Sequence, residues 1–287
     1  MRKRVLVGGL AAALAGCSAV NRAAVRSTAN VLSLGRVASL EEPDYQLARE
    51  AISSQLKLIE TLLMSDPDNR ALRRLAAEGF GGAAFLFLED SEPERAKGLY
   101  MRGRDHALAA LALRPPFRGL ADKPADEFEK SLKSATGADV PELFWAGFCW
   151  AGYVNLSKDD ASALADLPKV VALMRRVSAL DPGYHFDGTD LFFGVYYASR
   201  PRLLGGDPQK AKASFERAVL FTKGRYLTAP LLEARWYAVA VQDRDLFKAL
   251  LTKVVESPPG QLPEARLTDE AARRKAAALL AKIDDYF

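Results

Sequence analysis

The chain has 287 residues, with 40 Lys and Arg against 36 Asp and Glu, two histidines and two cysteines. A formal charge of +4 with no basic stripe excludes a nucleic-acid partner, and two cysteines exclude a disulfide-stapled fold. Length allows one extended array or two compact domains, either able to bury a large share of its surface.

Arg2, Lys3 and Arg4 form a positive start, Val5 to Ala13 an apolar run, and Leu14-Ala15-Gly16-Cys17 its end. This is the pattern of a bacterial lipoprotein signal, residues 1–16, removed on export. Cys17 is then the lipidated N-terminus, anchored by acyl chains at about 0.8 kcal/mol per buried CH₂. The apolar run falls short of the ~20 residues that a membrane span needs. Ser18, rather than Asp, directs such a chain to the periplasmic face of the outer membrane. Loss of Arg2, Lys3 and Arg4 leaves 37 basic residues against 36 acidic, a net charge of +1. Residues 17–42 are small, polar and weakly periodic, and read as a lipidated tether. Residues 43–287 read as the folded body.

Apolar residues recur at helical spacing over 45–64, 70–88, 94–113, 141–155, 164–180, 189–198, 208–222, 229–241, 244–256 and 268–283. Many of these runs stop at Pro or Gly, and Asp207-Pro208 supplies a cap followed by a first-turn proline. The pattern predicts an all-α fold of helical hairpins, with 116–144 as an irregular insertion. Small and large apolar residues also alternate in steps of four and three: Ala96, Tyr100, Gly103; Val170, Met174, Val177; Ala211, Phe215, Ala218; Phe247, Leu251, Val254. Such steps keep side chains on one helix face. Small members admit a neighbouring helix, and the large member fills the groove. This predicts tetratricopeptide-like hairpins stacked into a superhelical array. An irregular helical bundle is the competing fold.

Between two helices of one hairpin, Tyr197-Ala198-Ser199-Arg200-Pro201 leads through Gly205-Gly206-Asp207-Pro208 to Ala211, Phe215 and Ala218. Pro201 stops the first helix, Gly205 and Gly206 permit positive φ, and Asp207-Pro208 starts the second. With the lipobox, Asp66-Pro67-Asp68-Asn69 and Glu94-Arg95-Ala96-Lys97-Gly98-Leu99-Tyr100, this segment resembles the TatT family. These are lipoprotein T-components of tripartite ATP-independent periplasmic (TRAP) transporters. The resemblance implies a helical-repeat fold, trimerisation, association with a periplasmic solute-binding protein, and a cleft for an apolar or amphipathic ligand. It brings no catalytic residues and no cofactor.

The residues themselves favour binding over catalysis. His106, read onto a solvated helix face, and His185, read into a loop, lack the second ligand at i+3 or i+4 that a zinc helix needs. No Gly-x-Ser-x-Gly elbow occurs. Gly79-Phe80-Gly81-Gly82 reads as a close helix contact, not a phosphate loop. Cys149, inside an apolar run, reads as a buried inert thiol. No enzyme activity and no metal site are expected.

Aromatics cluster at 144–153, 192–197 and 226–237, more of them expected in the core than in a groove. Trp145, Phe148 and Gly152 share one face, while Trp150 and Tyr153 point elsewhere. The ligand- or partner-binding candidates are Trp145, Phe148, Tyr196, Tyr197, Arg200, Arg202, Arg235 and Trp236. The three arginines can pair bidentately with a ligand carboxylate. The reading favoured for Arg200 is a cap on helix C-terminal carbonyls. A scaffold lipoprotein of cell-envelope assembly, with no ligand of its own, is the competing function.

One test bears on the anchor. Cys17→Ser is expected to abolish acylation and release the protein from membranes without unfolding it. A variant that stays in the membrane fraction at high salt would show that another element is the anchor.

Overall fold

The computed structural model describes residues 22–287, all helices and connections with no strand among them. The proposed signal segment and Cys17 lie outside the described residues. Residues 22–40 form α1, followed by α2 (Tyr45–Ser65) and α3 (Arg70–Ala83), which runs on through a π-helical turn, Ala84–Leu88. Next come α4 (Pro93–Leu111), α5 (Ala125–Leu132), α6 (Val140–Leu156), α7 (Ala161–Ala165) and α8 (Leu167–Leu180). The last are α9 (Tyr184–Ala198), α10 (Pro208–Phe221), α11 (Thr228–Leu232) with a second π-helical turn, Glu233–Ala238, α12 (Arg244–Glu256) and α13 (Arg266–Leu280).

The helix starts follow from capping chemistry. Asp44 accepts from the amides of Gln46 and Leu47, Asn69 from Leu72, Asp207 from Gln209 and Lys210, and Asp243 from Leu246. Each bond satisfies an amide that the helix itself leaves free. Pro93 and Pro208 sit in first turns, where no amide is needed.

The sequence reading departs from the structure at two segments. Residues 22–40, read as part of a tether, are helical, and Val25 and Ala29 are buried against α2 and α3. The stretch 116–144, read as irregular, contains α5, whose Phe128 and Leu132 are buried together with Phe117 and Leu120. In both, a few apolar side chains at helical spacing find a partner face supplied from far along the chain.

Successive helices pack on one another, α3 on α4, α4 on α6, α6 on α8, α9 on α10 and α12 on α13. All four triplets are buried, in α4, α8, α10 and α12. Close approach requires glycine opposite the large member. A Cβ on Gly152 would lie 2.5 Å from the Tyr100 ring, and one on Gly194 would lie 2.7 Å from that of Phe215. The sulfur of Cys149 fills the remaining gap between α3, α4 and α6. It lies against Gly81 and Gly103 and 3.7 Å from the Ala77 carbonyl. Burial pushes this thiol far above the ordinary range.

A bidentate pair joins the starts of α3 and α6. Arg70 donates to both oxygens of Glu142 at 2.9 Å and to Asp139 at 3.1 Å, and Arg114 adds a second bond to Asp139. Both carboxylates are almost completely buried.

The stack closes on itself. Helix α13 packs on α2 and on the π-helical turn after α3, and Leu267 joins the core made by α1 to α4. The seam is ionic. Lys275 lies 3.1 Å from Glu89 and also bonds Asp90, while Arg235 lies 2.8 Å from Asp90 and 3.5 Å from Glu89. Burial works against the charge on Asp90, but Lys275 and Arg235 more than offset it, and its carboxyl falls below the usual range.

Two predictions follow from this packing. Lys275 and Glu89 are 10% and 12% exposed, so Lys275→Met leaves the enclosed Glu89 and the part-exposed Asp90 sharing Arg235. The expected loss is about 3 kcal/mol in urea unfolding, the low end for breaking a buried pair. A loss under about 1 kcal/mol would mean that the seam is not a closure. Asp269, almost fully buried, accepts from the Leu227 amide at 2.9 Å and so ties α13 to the start of α11. Burial raises its carboxyl to about 7. The folded state therefore holds a proton that the unfolded state has released between about pH 4 and pH 7, and stability falls as pH rises through that window. Asp269→Asn keeps an oxygen acceptor and removes the charge. It should be more stable than the parent at pH 8, by on the order of 2 kcal/mol, and equal to it at pH 4. Destabilisation at both pH values would assign the carboxylate a structural charge.

Candidate functional site

Inside the closed stack lies a mostly apolar cavity of about 870 Å³, within the range of small-molecule sites. Its wall draws on both halves of the chain, with Ile59 from α2, Phe85 beyond α3, Phe148 from α6, Phe192 from α9, Leu232 from α11 and Leu267 from α13. Helix α1 contributes Leu32, Arg36 and Ser39. The segment read as a tether is thus one side of the cavity.

Six of the eight binding candidates line this space: Trp145, Phe148, Tyr196, Arg200, Arg235 and Trp236. Positions 145, 148 and 152 fall on one face of α6 by their spacing, and all three residues reach the cavity. Trp150 points away and is buried, edge-on to Phe128 at 6.2 Å and beneath the Arg104 guanidinium at 4.9 Å. Tyr197 and Arg202 do not line the cavity. The Tyr197 ring stacks on Phe193 at 6.0 Å, and its carbonyl accepts from the Asp207 amide at 3.0 Å. Arg202 is exposed on the inserted loop. Cys17 lies outside the described residues.

The loop between α9 and α10 is built as its sequence requires. Gly205 has φ of +89°. Gly206 does not need positive φ, but a Cβ there would meet the Arg200 carbonyl oxygen at 1.9 Å. Arg200 itself serves two purposes. It donates from Nη1 to the Tyr196 carbonyl at 3.2 Å, the helix-capping bond read from sequence, and its guanidinium lies 4.0 Å above the Tyr196 ring within the cavity wall.

Arg235 answers differently. Its partners are Glu89 and Asp90, so its charge is met inside the protein. Burial disfavours its charged form, yet the two acids outweigh this and hold it more firmly protonated than usual. Glu89 also accepts the Tyr100 hydroxyl at 2.8 Å. Trp236 lies beneath Lys158, whose Nζ is 4.5 Å from the ring centre. Sequence reasoning missed Lys158, because one lysine in Ser157-Lys158-Asp159-Asp160 reads as a solvated turn.

A second polar group of the wall pairs Arg36 with Glu78 at 2.8 Å. Burial raises the Glu78 carboxyl, and Arg36 opposes the rise. Both histidines lie in more enclosed places than the sequence indicated. His185 is part of the cavity wall, 5.1 Å from the Phe144 ring and 5.0 Å from that of Trp145. Burial takes it down to about 4, so the ring is neutral at physiological pH. It belongs to a left-handed turn at the head of α9, with φ of 51°, 58° and 59° at His185, Phe186 and Asp187. His106 is not on a solvated face. Its ring stacks parallel to Phe80 at 5.6 Å, and Arg73 lies 3.2 Å from its Nδ1. Burial and then Arg73 push its pKa down. Among the described residues, no three His, Cys, Asp or Glu side chains are placed to hold a metal ion.

Comparison with known proteins bears out the family resemblance. An uncharacterised protein of Treponema pallidum (strain Nichols) is 24% identical over 263 residues, covering 86% of this chain and 81% of its own length. The family model described as TRAP transporter T-component matches residues 41–287. The helices that enclose the cavity all fall within that match except α1, and the chain belongs to the TRAP transporter T-component (TatT) family.

Proposed function

We propose that this protein is a lipid-anchored periplasmic partner in TRAP-type solute uptake. It is held to the outer membrane through Cys17, docks a periplasmic solute-binding protein, and accepts an apolar or amphipathic ligand in its cavity. The observation that carries this reading is a mostly apolar, partly open cavity of about 870 Å³ in a member of a transport family. A scaffold has no need of such a space, because every unfilled contact in an interior forfeits dispersion energy. In this reading the helix pairs are tetratricopeptide-like units, which is supported by the burial of all four triplets and by the glycines that receive Tyr100 and Phe215. The body assembles as a homotrimer. Trp145, Phe148, Tyr196 and Trp236 face the ligand. Tyr197 and Arg202 belong to the inserted loop and its base, where Leu203 is 98% exposed. Leu204 beside it is 69% exposed, and two adjacent apolar side chains in solvent support a partner-docking role for this loop. No described helix is long and apolar enough to cross a membrane.

Native mass spectrometry tests this on a soluble mature form, residues 17–287 carrying Cys17→Ser behind a cleavable leader. Mixed with the solute-binding protein of its own transporter, it should show a trimer, a further mass for the complex, and a small apolar molecule released on activation. A monomer without ligand that ignores the binding protein would favour the scaffold reading.

A further inference from the structure

We propose that Lys158 and Arg200 form an anion-binding subsite in the cavity wall, and that the ligand is an amphiphile whose carboxylate meets these two cations while its apolar body lies along the aromatic side. The proposal deepens the cavity reading above and rests on it.

The cavity holds four cations besides its apolar lining: Arg36, Lys158, Arg200 and Arg235. Two are already matched, Arg36 by Glu78 and Arg235 by Glu89 and Asp90. Lys158 and Arg200 are not. Among the described residues no carboxylate comes within ion-pair distance of either, and the charges that Lys158 feels are Arg200 and Arg235, both of its own sign. Burial disfavours the charged form of each. Arg200 is partly buried and Lys158 more exposed; the two like charges share one cavity wall without a counterion, and a bound anion would offset their repulsion.

The geometry suits a carboxylate. Arg200 has five N–H donors. One meets the Tyr196 carbonyl, and the Tyr196 side chain also takes part in holding the group. The planar fork that remains matches two carboxylate oxygens, a match that an ammonium group alone lacks. Both cations are also held in place. Arg200 lies over Tyr196 at 4.0 Å and Lys158 over Trp236 at 4.5 Å. The backbone around Arg200 is pinned by the bond from the Gly206 amide to the Pro201 carbonyl at 3.1 Å. Little side-chain entropy is then lost on binding. The remaining carboxylates of the wall lie elsewhere: Glu78 and Glu89 in the ion pairs named above, and Glu42 accepting the Asp44 amide at 2.8 Å.

The test is calorimetric titration of the soluble mature form with decanoate, 1-decanol and decylammonium, which share one chain and differ in the head. Decanoate is expected to bind at least tenfold tighter than decanol, and decylammonium weakest. Lys158→Gln, which removes no hydrogen bond, should lose at least tenfold for decanoate and nothing for decanol. Arg200→Gln should do the same, with a small drop in melting temperature from the lost cap. Equal binding of decanoate and decanol by the parent, or undiminished decanoate affinity in Lys158→Gln, would overturn the subsite while leaving the cavity reading intact. Failure of all three probes to bind the parent would overturn both.

Discussion

The cavity exists because the last helix reaches the first ones. A row of stacked hairpins presents a concave face, open along its length. Here Lys275 and Arg235 meet Glu89 and Asp90 across the gap, and the concave face is partly closed over. The partners of the Lys275–Glu89 bond are 186 residues apart in sequence. An apolar seam would have sealed equally well but with less orientation. Charged pairs with several donors and acceptors fix the approach of two elements more narrowly than apolar contact does. Two acids facing two bases also leave the enclosed Lys275 and Glu89 with matched charge. The nearby apolar contact through Leu267 supplies area, and the four charges supply the fit.

Much of this was legible in the sequence, because helical spacing is a local property. Ala211, Phe215 and Ala218 announce both a helix and its buried face, and the structure buries all three. Trp145 and Phe148 could be separated from Trp150 by angle alone. What the local pattern could not give was any pairing at a distance. Arg235 looks like a ligand-binding arginine until Glu89 and Asp90 are brought beside it. His106 looks solvated beside Arg104 and Asp105, yet a neighbour one position away faces another side of the helix, and Phe80 covers the ring. Val25 and Ala29 in α1 carry too little apolar surface to declare a helix by themselves. Their order comes from the groove on α2 and α3 that they fill.

The aromatic side chains divide between two uses. Phe215, Phe247, Phe128 and Trp150 are enclosed on all sides and hold helices together. Phe148, Phe192, Tyr196 and Trp236 are only partly covered by protein and face the interior space. The left-handed turn at His185–Asp187 lies at the cavity wall, to which His185 belongs. Non-glycine residues adopt that conformation at a cost of roughly 1–2 kcal/mol each, so surrounding contacts must hold it. The rings of Phe144, Trp145 and Tyr226 against His185 and Phe186 are those contacts.

The placement of Cys149 has a consequence for the chemistry of the finished chain. Its sulfur is enclosed where α3, α4 and α6 come nearest, and the thiolate that oxidants and disulfide exchange require is strongly disfavoured there. Gly81 and Gly103 are what make room for it. A methyl group at either position would have to displace the sulfur or separate the helices. The two glycines thus set how deeply the thiol can sit, and depth is what keeps it protonated and out of reach of other thiols.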